Sequence, residues 1–219
     1  MKTPVLNSKY NAFGNDTRYF VITGGRGSGK SFAITTFLAF LTFEQGHKIL
    51  FTRYTMISAA NSIIPEFLEK LELYDILNHF RITKDEILNI STGSSIMFKG
   101  IRTSAGNQTA ALKSISGITT WVLDEAEELT KEEDFDKIDQ SVRAKNKPNR
   151  VMMILNPATK EHWIYQRFFA GKGVNPGSNL WKDNVSYIHT TFKDNIENLS
   201  DSFLLQLEDI RRRRPDKYN

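Results

Sequence analysis

The sequence predicts an α/β fold in which a mainly parallel sheet is flanked by helices. Apolar runs typical of buried strands alternate along the chain with segments of helical period, which is the order that βαβ units require. The chain has 219 residues, of which 40% are hydrophobic, and it contains no internal repeat or low-complexity tract. This length and apolar content suffice for one core. We therefore expect a single domain over residues 1–219.

The first three elements are set by apolar runs and by glycine. Tyr19 opens an aromatic and β-branched run that predicts a strand at 19–23. Apolar residues then recur at helical spacing over 30–44, and Gly46 lies just beyond that helix, where glycine commonly follows a helix end. Residues 48–52 repeat the strand pattern, so strand, helix and strand form one βαβ unit.

A hairpin is expected to extend the sheet. Residues 56–72 have a helical pattern that bends or restarts at Pro65. Within 86–101 two short strands turn at 92–94, which predicts an antiparallel pair beside the parallel strands. The polar stretch 103–116 has no strand pattern and is predicted to form a mobile loop.

The second half continues the alternation. Thr130 and Glu133 have the spacing of a capping box and predict the start of a helix near 131. The remaining predicted elements are strands at 119–123, 151–155 and 185–190 and helices at 131–142, 160–170 and 200–213.

Composition excludes several kinds of chemistry. The chain has no cysteine, which excludes disulfides, Cys-ligated zinc, iron–sulfur clusters and thiol catalysis. The four histidines lack metal-ligand spacing and are interpreted as surface or packing residues. No apolar run of membrane-spanning length and no secretory signal is visible, so an intracellular protein is expected. The net charge of +4 permits a nucleic-acid partner without establishing one.

The strongest motif is a phosphate-binding loop directly after the first strand. Gly24-Gly25-Arg26-Gly27-Ser28-Gly29-Lys30-Ser31 fits G-x-x-x-x-G-K-[ST] without a gap. Backbone N–H groups of such a loop converge on phosphate oxygens, and the next helix points its positive end at them. Lys30 is predicted to reach the β- and γ-phosphates, and the Ser31 hydroxyl to bind Mg²⁺. The motif predicts a nucleoside-triphosphate site; the alternative is a merely flexible turn.

A second motif indicates the reaction. The apolar run 120–123 ends in Asp124 and Glu125, the form of a Walker B segment in RecA-like or ASCE-like P-loop NTPases. Asp124 is predicted to hold Mg²⁺, and Glu125 to orient and deprotonate the attacking water. The acid pair favours ATP hydrolysis over a passive nucleotide switch. The alternative is that Glu125 only begins a solvated helix together with Glu127 and Glu128.

These motifs resemble those of large terminase subunits, the ATPases that package DNA into tailed-phage and herpesvirus-type capsids. The resemblance covers essentially the whole chain. It rests on G-G-R-G-S-G-K-S at 24–31, V-L-D-E-A at 122–126, Ile154-Leu155-Asn156-Pro157, and His189-Thr190-Thr191-Phe192-Lys193-Asp194-Asn195. It implies a DNA-translocating ATPase that uses ATP and Mg²⁺.

The resemblance also implies roles for two further residues. Asn156 would lie in the motif that senses the γ-phosphate and couples hydrolysis to DNA movement, although Asn-Pro is also an ordinary end of a strand. Arg26 would contact the γ-phosphate from the same subunit, or alternatively pair with a local acid. The expected catalytic residues are therefore Arg26, Lys30, Glu125 and Asn156.

Terminase motors act as rings, so the resemblance implies a homo-oligomer during packaging, expected to be a pentamer, whose neighbouring subunit completes each site. The alternative for the isolated chain is a monomer. Arg102, Lys113 and Arg143 are candidates for that basic residue, and each also reads as an ordinary surface charge. The implied partners are double-stranded DNA, the portal protein and the small terminase subunit. The implied location is the cytoplasm of the infected bacterium, docked on the procapsid portal.

Contacts to adenine and to DNA are less closely specified. Adenine is expected near Tyr10, Asn11, Phe13 and Arg18, although aromatic residues there equally suit a core. The resemblance also implies that Arg53, just after the second predicted strand, contacts phosphate or DNA, because terminases commonly have an arginine at that place. A motor grips the duplex through phosphate contacts without reading bases. Candidates for this grip are Arg143, Lys145, Lys147, Arg150 and the run Arg211–Arg214, which also suits the negative end of a helix.

Large terminases continue into an RNase H-like nuclease that uses clustered acids. No acid-rich αβ unit fits after residue 200, so residues 200–219 are expected to lead into a linker, and the nuclease domain is expected to lie outside this chain. Two alternative functions remain: a helicase-type ATPase, and a nucleotide-gated ring-assembly module with little turnover.

Overall fold

Ten strands form one sheet in the described part of the chain, which in this computed structural model comprises residues 2–56, 59–103, 106–107, 112–156 and 159–214. The strands are β1 (Tyr19–Thr23), β2 (Lys48–Thr55), β3 (Phe80–Ile82), β4 (Glu86–Asn89), β5 (Ser95–Thr103), β6 (Gly106–Asn107), β7 (Thr120–Asp124), β8 (Arg150–Leu155), β9 (Leu180–Lys182) and β10 (Val185–His189).

The strand order is β3-β4-β5-β2-β7-β8-β1-β10-β9, and β6 pairs with β5. Within this order the six strands from β5 to β10 are mutually parallel. Antiparallel strands close both edges: β4 and β3 beside β5, and β9 beside β10. The predicted α/β class, the parallel sheet and the antiparallel hairpin extension are confirmed.

The α-helices are α1 (Lys30–Leu41), α2 (Ala59–Leu73), α3 (Glu132–Asp139) and α4 (Asp201–Arg213). Shorter helical segments are the 3-10 turns Ser8–Gly14, Leu77–His79, Ala126–Glu128, Ala170–Lys172 and Phe192–Asn198 and the π-helix Tyr165–Phe169. None of the described helices has the length and apolarity to cross a bilayer.

Both faces of the sheet are covered, which explains why its central strands are apolar throughout. In β1, Phe20 and Ile22 belong to the core cluster that contains Leu38 of α1, while Val21 belongs to the opposite cluster that contains Phe135 of α3. Alternate residues of one strand therefore pack on different layers.

Several predicted elements differ from those of the structure. The edge strands β3 and β9 were not predicted, and the predicted helix at 160–170 contains the π-helix Tyr165–Phe169. The helix α3 begins at Glu132 with Lys131 as its N-cap and without a side-chain capping bond, so the capping box is not formed. Of the expected mobile loop 103–116, residues 106–107 form a strand, and residues 104–105 and 108–111 lie outside the described residues.

The fold brings the functional motifs to one edge of the sheet. Because β1, β7, β8 and β10 are parallel, the residues that follow them emerge at the same carboxyl edge. The pairing of β2 with β7 places Arg53 opposite Asp124 at that edge. In open α/β sheets this edge is where ligands bind.

Candidate nucleotide site

A cavity of about 420 Å³ lies at the carboxyl edge of the sheet. Its lining comprises residues 25–32 together with Arg53, Asp124, Glu125, Glu127, Ile154, Leu155, Asn156 and Asn195. Of the residues that the structure describes, no histidine contributes to this lining. The cavity therefore joins the predicted phosphate-binding loop, the predicted acid pair and Asn156, which are far apart in sequence.

Glycine is required at the start of the loop because another backbone lies against it. A Cβ placed on Gly24 would lie 2.1 Å from the carbonyl oxygen of Thr190, which follows β10. The adjacent Thr190 N–H donates to the carbonyl of Thr23 at 3.0 Å, so the end of β10 is fixed against the beginning of the loop. No side chain fits between these two segments.

The Lys30 ammonium lies over the loop. It donates to the carbonyl oxygens of Gly24 and Gly25, the latter at 3.0 Å, and to the Ser28 hydroxyl at 3.3 Å. Burial lowers the pKa of Lys30, while the charges of Glu127 and Asp124 act in the opposite direction. A cation held at this place, beside the loop's backbone N–H groups, suits a polyphosphate ligand.

Asp124 is a buried carboxylate paired with Arg53. Only 7% of Asp124 is exposed, and the Arg53 Nε and Nη2 groups each lie 2.7 Å from its Oδ2 atom. Burial raises the pKa of Asp124, and the Arg53 charge and hydrogen bond oppose that rise. Arg53 was expected to contact phosphate or DNA; it lines the cavity, and its described partners are Asp124 and, at 3.9 Å, Glu125.

Glu125 has a strained backbone conformation, with φ 53° and ψ 47°. A residue with a Cβ is disfavoured in this left-handed geometry, and such strain is concentrated at functional sites. Burial raises the pKa of Glu125, the nearby Arg53 charge lowers it, and Asp124 raises it further. Of the alternative, in which Glu125 begins a solvated helix with Glu127 and Glu128, the structure shows a single 3-10 turn, Ala126–Glu128, with Glu125 as its N-cap.

Glu127 holds Asn156 and was not predicted as a site residue. Its Oε1 atom accepts hydrogen bonds from the Asn156 Nδ2 group at 2.8 Å and from the Asn156 backbone N–H at 3.3 Å. Its Oε2 atom is buried and has no hydrogen-bond partner among the described residues. Glu127 follows Glu125 by two residues, but its contact with Asn156 joins residues 29 positions apart and could not be predicted from that spacing.

Arg26 is exposed on the wall of the cavity. Within the described residues its guanidinium makes no hydrogen bond or ion pair, so the pairing with a local acid is not observed. A planar guanidinium without a protein partner at this position suits a phosphate ligand.

The residues expected to contact adenine are dispersed. A second cavity of about 330 Å³ adjoins the loop and is lined by residues 5–7, Tyr10 and residues 193–198. Phe13 packs against Phe20 and Phe37 in the core, and Asn11 is exposed. Arg18 precedes β1, at the opposite edge of the sheet, where it pairs with Asp139 at 2.6 Å. Tyr10 alone of the four lines the second cavity.

The Tyr10 hydroxyl contacts the phosphate-binding loop and the residue that follows β10. It donates to the Ser28 carbonyl at 3.3 Å and lies 3.0 Å from the Thr190 hydroxyl. Burial raises the pKa of Tyr10 to about 12, with a smaller opposite effect from the Thr190 hydrogen bond. Only 4% of Tyr10 is exposed, and its hydroxyl holds the loop at Ser28.

The remaining basic candidates lie in three places. Arg102 is exposed near the carboxyl end of β5, and Lys113 is exposed before β7. Arg143, Lys145, Lys147 and Arg150 precede or begin β8, on the edge of the sheet opposite the 420 Å³ cavity. In α4, Arg211 and Arg213 pair with Glu208 and Asp209 of the same helix.

The oxygen atoms of the site fit a magnesium ion. The described residues hold no cluster of three or more His, Cys, Asp or Glu side chains that forms a complete metal site. Mg²⁺ in triphosphate sites needs few protein ligands because phosphate and water oxygens complete its shell. Ser31 and Asp124 line the same cavity and supply such hard oxygen atoms.

Known structures share this fold. The large terminase of a thermophilic bacteriophage matches 95% of the chain with a TM-score of 0.68 and 15% identity, over 50% of its own length. The large terminase ATPase domain of Thermus phage P74-26 matches 98% of the chain, over 90% of its own length, with a TM-score of 0.65 and 16% identity. The bacteriophage phi29 genome packaging motor assembly contains a chain that matches 93% of this one, over 67% of its own length, with a TM-score of 0.63 and 13% identity.

The first of these large terminases has also been solved with ADP and with ATP-γ-S. This chain covers 50% of that terminase's length in the first structure, 48% in the ADP complex and 49% in the ATP-γ-S complex. No curated protein matches it in sequence. The family model described as the phage terminase large subunit matches residues 16–219, and the chain therefore belongs to the phage terminase large subunit family.

Proposed function

We propose that this chain is the ATPase motor domain of a terminase large subunit, coupling ATP hydrolysis to the translocation of double-stranded DNA into a procapsid. The observation that carries the proposal is the cavity that gathers the loop 24–31, Asp124 and Glu125. Membership of the terminase family supports the motor role. The complexes of the thermophilic bacteriophage terminase with ADP and ATP-γ-S support ATP as the nucleotide.

The loop binds the triphosphate. Its backbone N–H groups and the N-terminal end of α1 surround the phosphates, and Lys30 moves from the loop carbonyls to phosphate oxygens. Arg26 offers a planar donor to the charge that spreads over the γ-phosphate in the transition state. Mg²⁺, held by Ser31 and Asp124, would neutralise phosphate charge when bound.

Glu125 activates the attacking water. Its raised pKa favours acceptance of a proton, and its left-handed backbone directs the side chain out of the strand direction. The Glu127 carboxylate can only accept hydrogen bonds, so Asn156 must present its Nδ2 group to it. The Asn156 Oδ1 atom is then the group left to accept a hydrogen bond from the attacking water.

The 330 Å³ cavity provides room for the nucleoside. It shares Ser28, Gly29, Phe32 and Asn195 with the 420 Å³ cavity, so one ligand can occupy both. Phe32 and Leu6 supply apolar surface for a base.

The proposed motor acts within a larger assembly. The match to a chain of the phi29 packaging motor assembly supports assembly with packaging components. We further propose a ring, expected to be a pentamer, that works with the portal protein and the small terminase subunit at the procapsid in the host cytoplasm. Arg102 and Lys113 are the candidates for the residue that completes a neighbour's site, with Arg143 as a third. DNA is gripped through phosphate contacts, for which the exposed Arg143 and Lys145 are candidates.

The test of this function is the Glu125→Gln variant. Turnover of ATP should fall by about 10²–10⁴-fold, because the general base is lost, while ATP binding is retained. Glu128→Gln is the matched control, since Glu128 is an exposed acid three residues away. Unchanged turnover in Glu125→Gln contradicts the base assignment. A wild-type chain that binds ATP but does not hydrolyse it, even as an assembled ring on DNA, supports a nucleotide-gated assembly module instead.

A further inference from the structure

The segment that follows β10 packs against the phosphate-binding loop at Gly27. The Asn195 Nδ2 group donates a hydrogen bond to the Gly27 carbonyl at 3.0 Å. A Cβ on Gly27 would lie 2.8 Å from Phe203 and 3.2 Å from Leu199. Asn195 lines both cavities, so it lies where they meet.

Contacts of Asn195 and of the preceding Asp194 hold Asn195 in place. Its backbone, with φ −137° and ψ 17°, departs from helical geometry inside the segment Phe192–Asn198. Its Oδ1 atom accepts a hydrogen bond from the Asn198 Nδ2 group at 2.9 Å. The preceding Asp194 is fixed by Lys9 at 2.8 Å and by the Thr191 N–H at 2.8 Å. Because a carbonyl only accepts hydrogen bonds, the amide orientation of Asn195 follows from its partners.

The peptide between Gly27 and Ser28 needs such an anchor. Gly27 has φ +75° and no side chain, so little else fixes the direction of its carbonyl. All described peptide bonds are trans, and in a trans peptide the C=O group and the next N–H group point in opposite directions. A carbonyl held toward Asn195 therefore directs the Ser28 N–H away from Asn195.

We propose that Asn195 is a positioning residue of the nucleotide site: by holding the Gly27 carbonyl, it fixes the Gly27–Ser28 peptide so that the Ser28 N–H faces the phosphates. This inference rests on the proposed function, because it requires that residues 24–31 bind a triphosphate. The last of the four segments on which the family resemblance rests ends at Asn195. The proposal gives this segment a role that its sequence alone did not indicate.

The experiment compares two ligands that share phosphates and differ in the nucleoside. Binding of ATP and of inorganic tripolyphosphate is measured by calorimetry for the wild type, Asn195→Ala and the control Asn175→Ala, whose residue is exposed and far along the chain from the loop. Asn195→Ala should weaken both ligands by a similar factor, about tenfold, since the lost anchor affects the phosphate-binding peptide. Asn175→Ala should bind both ligands as the wild type does.

Other outcomes overturn the proposal. Weaker binding of ATP with unchanged binding of tripolyphosphate means that Asn195 contacts the nucleoside directly, and unchanged binding of both means that the anchor is unimportant. Asn198→Ala guards against an unfolded variant, because it removes the bond that orients Asn195 and leaves Asn195 itself in place. Since Asn198 also lines the 330 Å³ cavity, the ligand measured for this variant is tripolyphosphate. It should bind more weakly by a smaller factor, and an unchanged affinity contradicts the proposed chain of contacts. A wild-type chain that binds tripolyphosphate but does not hydrolyse ATP, even as an assembled ring on DNA, would refute the proposed function and leave this role of Asn195 intact. A wild type that binds neither ligand contradicts both proposals.

Discussion

Replacing Arg53 with alanine should leave Asp124 as an unpaired buried charge. Unit charges about 4 Å apart attract each other by about 4 kcal/mol at an effective dielectric constant of about 20. Breaking a buried pair by removing one partner costs about 3–5 kcal/mol. The Arg53 side chain is 21% exposed, so water partly replaces it. We expect Arg53→Ala to lower the free energy of unfolding by about 3 kcal/mol at pH 8.

The pH dependence of this loss has a definite sign. Burial raises the pKa of Asp124 above its ordinary value of 3.8, and removal of Arg53 raises it further. A carboxyl whose pKa is raised in the folded state carries no penalty below its unfolded pKa. The penalty grows as the pH rises above the unfolded pKa and is complete once the pH has passed the folded pKa. The deficit of Arg53→Ala should therefore be largest at pH 8 and should shrink as the pH is lowered through the raised pKa of Asp124.

The assay is urea denaturation without nucleotide and with a chelator, so that no added cation compensates the buried carboxylate. The control is Arg53→Ala in an Asp124→Asn background, where no buried charge is left. There the substitution should cost less than about 1 kcal/mol. An equal cost in both backgrounds, or a deficit that does not depend on pH, would refute the reasoning.

Two further substitutions test the acid cluster. Glu125→Gly should raise the free energy of unfolding by about 0.5–1 kcal/mol, because glycine tolerates a φ of 53°, and it should abolish ATP turnover. A variant that is less stable than the wild type in thermal melts argues against backbone strain at this residue. Glu127→Ala should lower kcat for ATP about tenfold with little change in KM, because Asn156 loses both hydrogen bonds that orient it. A raised KM with an unchanged kcat would show that Glu127 acts on nucleotide binding instead.

The parts of the site that lie on contiguous motifs were predictable from sequence. The loop 24–31 and the pair Asp124–Glu125 each follow an apolar strand, and parallel strands end at the same edge of a sheet. Their gathering in one cavity therefore follows from local pattern and fold class. Asn156 was assigned through the family resemblance, and it reaches the same edge because it follows the parallel strand β8.

The parts that depend on pairing between distant segments were not predictable. The ion pair of Arg53 with Asp124 depends on the register of β2 against β7, which no local pattern specifies. Arg18 was assigned to adenine as part of the segment before the first strand. It directly precedes β1 and the loop follows that strand, so the two lie at opposite edges of the sheet. The short edge strands β3 and β9 have only three residues each and carry too little alternation to be recognised.

The contact between Asn195 and Gly27 also has a consequence for how the protein is made. It joins residues 168 positions apart, and Phe203 reaches Gly27 across a still longer stretch of chain. Contacts between such distant residues form only after a large loop has closed, which makes them late events in folding. During synthesis the phosphate-binding loop leaves the ribosome early but acquires its outer support only when the segment after β10 has emerged. A nascent chain should therefore become competent for tight nucleotide binding only after nearly all of these residues have been translated.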